Sequence, residues 1–236
     1  MSKNMLNDIA IIPARGGSKR IPRKNIIDFN GKPIIAWTIE AALKSGKFNK
    51  VLVSTEDEEI AEVSRSFGAD VPFLRDSSYD DHSPVSQAST RALIQAEIHW
   101  KTEYDNAVQL MANCPMRSSE EIIEFHDHFI SGEHDFLISC FKFGWINPWW
   151  AFKFDDKEGH EFIFPNNLES RSQDLPPLYC PTGSIWMAKS KLLKKTKSFY
   201  AENQKFKEID WISSIDIDDY DDLFIAKKIA MTKLQK

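Results

Sequence analysis

Thirteen residues near the start of the chain, Pro13 to Asn25, carry five cationic side chains: Arg15, Lys19, Arg20, Arg23 and Lys24. They stand beside an adjacent glycine pair, Gly16 and Gly17, directly after the apolar run DIAIIPA. Glycines let a backbone approach a ligand closely, and clustered cations neutralise several negative charges at once. The stretch lacks the glycine before Lys-Ser or Lys-Thr that a Walker A loop needs, and it is not G-x-G-x-x-G. A polyphosphate is the guest this pattern suits, the bland alternative being a solvated basic loop. A second candidate lies near the other end, in SIDIDD. If that segment is a strand, Asp216 and Asp218 share a face, because side chains repeat every second residue. Two neighbouring carboxylates repel unless a cation sits between them, and magnesium prefers oxygen ligands of this kind. The competing reading is that Asp218 or Asp219 caps the following helix. Asp221 and Asp222 belong to that helix's first turn.

The elements that must position these groups alternate in type. Strands are expected at 8–14, 50–55, 106–114 and 135–143, with a short one at 71–75. Helices are expected from Pro33 to Gly46, through DEEIAEVSRSFG to Gly68, over 85–100, and from Ser118, whose capping box closes on Glu121. This rhythm predicts an α/β fold, a mostly parallel sheet with helices on both faces. Ligands of such sheets bind beyond the carboxyl ends of the strands. The rhythm breaks at about 145–182. WINPWWAFKFDDKEGHEFIFP reads as two antiparallel strands around an Asp-Lys-Glu-Gly turn, and a polar, proline-broken loop follows. GSIWMAKSKLL and WISSIDID read as further strands, and a helix with acids first and lysines later closes the chain.

With 236 residues, the chain is read as one domain over 1–236 with an inserted segment at about 145–182. A net charge of -5 argues against general nucleic-acid coating. The three cysteines, Cys114, Cys140 and Cys180, form no CxxC pair and no disulfide framework, which favours a reducing cytoplasm. No signal peptide and no membrane span are read in the sequence.

IIPARGGSKRIPRKN, GKPIIAWTIEAALKSGKF, VLVSTEDEEIAEVSRSFGADVPFLR, RSQDLPPLY and SIDIDDYDDL together resemble the acylneuraminate cytidylyltransferases. These are the CMP-sialic acid synthetases and the relatives that activate legionaminate, pseudaminate and KDO. The resemblance runs in order along nearly the whole chain. It implies a three-layer α/β/α fold with a Rossmann-like sheet of the nucleotide-diphospho-sugar transferase type. It also implies CMP transfer from CTP to the anomeric hydroxyl of an acidic sugar, with pyrophosphate released. By carry-over, Arg15 and Lys24 hold the triphosphate, Ala14 and Asn25 lie against the cytidine, and Gly16, Gly17, Ser18, Lys19 and Arg20 complete the loop. Asp216 and Asp218 bind Mg2+, with Asp218 counted as catalytic beside Arg15 and Lys24. The acceptor contacts implied are Met111, Asn113, Arg117, Arg171 and Gln173, with Arg171 pairing the sugar carboxylate. A homodimer formed through the 145–182 excursion is implied as well.

The acceptor half departs from the pattern. QLMANCPMR stands where LLQPTSPLR is typical, placing Met111 at the glutamine, and TGSIW replaces NGAIY, placing Thr182 at the asparagine. A thioether cannot supply an amide's hydrogen bonds. A different sugar acceptor, or a non-catalytic CTP-binding homologue, are the alternatives this raises. Among smaller features, His126 and His128 are spaced against a shared zinc site on a helix. Cys114 reads as a core residue, and Trp145, Trp149 and Trp150 as either sugar-stacking or interface side chains.

Overall fold

The computed structural model describes residues 6–75, 84–144, 146–155 and 159–233. In chain order the elements are β1 (Asp8–Pro13), β2 (Asp28–Phe29), β3 (Lys32–Pro33), α1 (Ile34–Ser45), β4 (Lys50–Ser54) and α2 (Glu58–Ser66). Then come α3 (Val85–Trp100), β5 (Asn106–Leu110), α4 (Ser119–Ser131), β6 (Phe136–Lys142), β7 (Phe152–Phe154) and β8 (His160–Phe162). The last are β9 (Tyr179–Lys189), α5 (Ser190–Thr196), β10 (Gln204–Glu208) and α6 (Tyr220–Lys233).

Six strands form one sheet in the order β10-β6-β9-β5-β1-β4. β1 runs parallel to β4 and β5, and β10 parallel to β6, while β9 is antiparallel to both of its neighbours. The mostly parallel α/β sheet expected from the sequence is therefore what forms. β1 shows why: Ala10 and Ile12 pack with Ile35, Ile39, Ile60, Phe125 and Phe129 from α1, α2 and α4. Ile9 and Ile11 point the other way, onto Ala92, Leu93, Ala96 and Leu193 from α3 and α5. A strand buried on both faces needs a near-continuous apolar run, which Ile9 to Pro13 supply, while Asp8 at its start is buried as well. A third cluster seats Leu223, Ala226 and Ala230 of α6 on Ile21, Phe29, Ile34 and Ile217. The last helix thus packs against the basic loop.

Several boundaries move. Pro33 lies in β3 and precedes α1, which ends in a left-handed Gly46 at φ 63°. β5 stops at Leu110, and residues 111–117 turn away from the sheet. Residues 71–75 form no strand; only Asp70 bridges to Leu52. GSIWMAKSKLL is divided at Ser190, where β9 gives way to α5. WISSIDID is no strand either: 211–214 are turns and 215–218 lie outside the sheet without regular secondary structure. Unforeseen strands are the two-residue β2–β3 pair and β10, QKFKE, whose polar composition suits an exposed sheet edge. The expected β7–β8 hairpin forms between β6 and β9, its tip at 156–158 lying outside the described residues.

Candidate active site

A cavity of about 950 Å³ opens where the carboxyl ends of β1, β4 and β5 meet α3 and the start of α6. One wall is the basic loop, contributing Arg15, Ser18, Lys19, Arg20, Lys24 and Asn25. The loop is held from behind. The Ala14 N–H donates to Ser54 O at 3.0 Å, Ser18 N–H to Gly16 O at 3.0 Å, and buried Asn25 donates through Nδ2 to Arg15 O at 2.8 Å. Arg23, left-handed at φ 58°, forks onto Asp57 (Nη2 to Oδ1, 2.9 Å) and also bonds Glu59. Of the five cations, Arg23 therefore serves the fold. The glycines act differently from expectation: the Gly16 N–H goes to Glu56 Oε1 at 2.7 Å, and a Cβ on Gly16 would stand 2.5 Å from Asp57 Oδ2. Close approach to its own chain is what Gly16 provides. Ala14, Gly16 and Gly17 do not line the cavity.

The facing wall holds Asp216 and Asp218, on either side of fully buried Ile217. The Ile217 N–H donates to Asn113 O at 3.0 Å, and Asn113 Nδ2 returns bonds to Ile217 O (3.1 Å), Asp218 Oδ1 (3.4 Å) and Asp216 Oδ1. The two-residue spacing does bring both carboxylates to one cavity, through an irregular segment pinned by Asn113 instead of a sheet ladder. The cap role belongs to Asp219, whose Oδ1 accepts the Asp221 and Asp222 N–H groups at 3.0 Å. Asp222 Oδ2 in turn accepts the Asp218 N–H at 2.9 Å. The Asp218 carboxylate is thereby left to the cavity, where Lys24 Nζ donates to Oδ1 at 2.8 Å and Arg20 to Oδ2.

The two acids titrate in opposite directions. Desolvation and the adjacent Asp218 charge push Asp216 up to about 6, although the residue itself is exposed. Burial also acts to raise Asp218, but the Lys24 and Arg20 hydrogen bonds and charges outweigh it and hold that carboxyl below the usual range. A cation between them would remove the repulsion, and the buried, unpartnered Asn113 Oδ1 adds a further polar atom beside the pair. Among the described residues no group of three or more His, Cys, Asp or Glu side chains is arranged to hold a metal. A cation here would take Asp216 and Asp218 from the protein and its remaining ligands from phosphate and water, a donor set that fits magnesium.

The expected acceptor residues separate. Met111 and Asn113 line the cavity. Arg117 does not: it is 3% exposed, donating to Ser184 O, to Thr38 Oγ1 at 2.9 Å and to Met111 O at 3.4 Å. Burial lowers its pKa to about 10. It ties the turn after β5 to β9 and α1, so its guanidinium is spent on the fold. Arg171 and Gln173 are exposed and outside this cavity, with Arg171 Nε donating to Asp174 Oδ2 at 2.6 Å. Thr182 is buried and donates to Ser214 O at 3.1 Å.

The minor features are structural. His126 pairs with buried Asp8 (Nε2 to Oδ2, 2.7 Å) at the start of β1. Cys114 is fully buried, and burial raises its thiol pKa. Trp149 packs on Phe164 at 4.7 Å and donates to Pro176 O; Trp145 lies outside the described residues. Sequence reasoning missed Arg75, Arg91 and Gln95, all on the cavity wall. The signal for the last two was helical spacing, since Ala88, Arg91 and Gln95 share one face of α3.

A family model described as Cytidylyltransferase matches residues 9–129. The pseudaminic acid cytidylyltransferase of Campylobacter jejuni is 35% identical over 222 residues, 94% of this chain and 95% of that protein. The CMP-N,N'-diacetyllegionaminic acid synthase of Legionella pneumophila is 34% identical over 232 residues, again 94% and 95%. The structure of CMP:2-keto-3-deoxy-manno-octonic acid synthetase complexed with CTP superposes with a TM-score of 0.70 at 16% identity, covering 96% of this chain and 99% of the other, a likeness of fold. The chain belongs to the cytidylyltransferase family, the CTP-dependent nucleotidyltransferases.

Proposed function

We propose that the protein transfers CMP from CTP to the anomeric hydroxyl of an acidic nonulosonic sugar of the sialic, legionaminic or pseudaminic type. One observation carries this reading: a single cavity joins Arg15 and Lys24, from the start of the chain, to Asp216 and Asp218, from its end. The names of the relatives supply the substrates.

In the reaction the anomeric hydroxyl oxygen attacks the α-phosphorus and gives up its proton to water, the bond from the α-phosphorus to the α,β-bridging oxygen breaks, and pyrophosphate leaves with that oxygen. Arg15 and Lys24 hold the triphosphate and stabilise charge on the departing group, with Ser18, Lys19 and Arg20 completing the cradle. Asn25 lies against the cytidine and keeps the Arg15 backbone in place, while Ala14, Gly16 and Gly17 shape the loop from behind the cavity wall. Asp216 and Asp218 would hold Mg2+, which when bound neutralises phosphate charge and orients the α-phosphate. Lys24 and Arg20, which donate to Asp218, also serve the phosphates. Met111 and Asn113 bound the acceptor side. Positioning and electrostatics suffice, without a covalent enzyme intermediate.

Two further elements belong to this reading. The enzyme acts in the cytoplasm as a homodimer of one-domain subunits; among the described residues no helix is long and apolar enough to cross a membrane. The dimer forms through the excursion between β6 and β9, so that Arg171 and Gln173 serve the partner's acceptor site.

The test is pyrophosphate release with CTP, magnesium and a panel of nonulosonic acids. Turnover with ATP or UTP but not CTP would overturn the donor assignment. Tight CTP binding without turnover on any acceptor would favour a non-catalytic homologue, and turnover only with another sugar class would replace the acceptor.

A further inference from the structure

Glu56 follows β4 by two residues and does not line the cavity. Its two carboxylate oxygens nonetheless hold two parts of the cavity that lie far apart in the chain. Oε1 accepts the Gly16 N–H at 2.7 Å, at the bend of the basic loop. Oε2 accepts Arg75 Nε–H at 2.7 Å and a second bond from Nη2. Arg75 is itself a cavity wall residue, and its backbone N–H donates to Thr55 O at 2.9 Å. Both side chains are largely sequestered, Arg75 20% and Glu56 23% exposed.

This arrangement needs a carboxylate. Only an ionised acid offers acceptors on both oxygens; a glutamine would turn an NH2 group toward one of two N–H partners. The Arg75 fork, fixed along its Nε edge, presents the rest of the guanidinium to the cavity in one orientation. Gly16, held by the same group, sets the course of the loop between Arg15 and Ser18. We infer that Glu56 is a positioning residue that couples the phosphate-binding loop to Arg75, preorganising both for one nucleotide. This rests on the reading of the cavity as the CTP site.

The experiment compares wild type, Glu56→Gln, Glu56→Asp, Arg75→Ala and Glu56→Gln/Arg75→Ala, by calorimetric CTP binding, steady-state kinetics and melting temperature. Supporting residues of this kind typically contribute 10- to 100-fold. Glu56→Gln should raise the CTP Kd and KM by about tenfold or more, with kcat kept within about threefold. Glu56→Asp, too short to reach both partners, should act in the same direction and serves where the glutamine variant does not fold. The double variant should be less impaired than the product of the single effects.

A merely structural role would lower the melting temperature, or the active fraction and hence kcat, and leave KM unmoved; that result overturns the inference. Full additivity with Arg75→Ala also overturns it, since Glu56 would not then act through that arginine. If wild type binds no CTP, the nucleotide reading fails and the role of Glu56 falls with it. If wild type binds and Glu56→Gln binds equally well, only the role of Glu56 falls.

Discussion

Asp218 and its two cationic partners bear most directly on the proposed chemistry. Lys24 and Arg20 neutralise a carboxylate that the proposed reaction assigns to magnesium. Asp218→Asn removes one of two protein carboxylates and weakens both ion pairs. Turnover measured by pyrophosphate release should fall on the order of 10²- to 10³-fold while the melting temperature stays close to wild type. Activity within tenfold of wild type would take Asp218 out of the metal site. Met111 is a second residue with a separable effect. Its Cγ would lie 2.9 Å from a Cβ added to Gly183, so it fills the wall between β5 and β9. Met111→Gln keeps the volume and adds hydrogen-bonding groups. It should change acceptor kcat/KM by roughly tenfold and leave the CTP KM unchanged; a moved CTP KM would place Met111 on the nucleotide side. The loop cations and the acid pair were legible in the sequence because charge clustering and two-residue spacing are local patterns. Arg117 and Arg171 were not, because whether an arginine faces a cavity, the core or solvent depends on contacts distant in sequence.

Among the elements, the junction of the loop with α2 bears most directly on function. Asp57 accepts the Ile60 N–H at 3.0 Å as the helix cap and also takes the Arg23 fork. The Arg23 hydrogen bond outweighs burial and holds the Asp57 carboxyl below its ordinary 3.8. An acid with a lowered folded-state pKa contributes stability above its unfolded value and loses it as pH falls through the folded one. Asp57→Asn keeps a competent cap, so it isolates the ion pair. It should cost about 1 kcal/mol at pH 7, the pair being partly exposed. The gap to wild type should narrow as pH drops below 3.8. Denaturant unfolding at pH 7 and pH 3 reads it, and a gap that grows in acid would refute the pairing. The elements themselves were mostly readable, since β1 is apolar from Ile9 to Pro13 and α4 announces its capping box, which forms with both bonds present. β10 escaped because QKFKE is polar and exposed or half-buried along its length, so it has no apolar face to mark it. Residues 215–218 read as a strand because buried Ile217 between Asp216 and Asp218 gives the same alternation, although its backbone bond goes to Asn113 beyond the end of β5 and not to a strand of the sheet.

At the scale of the whole molecule, a chain of net charge -5 concentrates cations in one cavity and leaves an aromatic surface on the excursion between β6 and β9. Phe154 is 77% exposed and Phe152 47%, with ring centroids 5.2 Å apart, and Phe152 also meets Phe162 at 5.6 Å. Contiguous apolar surface of this kind marks an interaction site. The same excursion carries Arg171 and Gln173, which lie outside their own chain's cavity. Sequence alone gives the order of elements within one subunit; which subunit's cavity a protruding segment serves is a property of the assembly. If the excursion forms the dimer and delivers Arg171 to the partner, breaking the interface should remove acceptor use and spare nucleotide binding. Phe154→Glu places a charge in that surface. It should convert a dimer to a monomer in sedimentation, raise the acceptor KM about tenfold or more, and leave the calorimetric CTP affinity within about twofold. Arg171→Ala in the intact dimer should reproduce the acceptor defect, and mixing it with an Asp218→Asn subunit should restore part of the turnover, since one of the two sites then holds an intact Arg171 and an intact Asp218. A monomeric wild type with full activity, or mixed subunits showing no recovery, would show that each chain completes its own site.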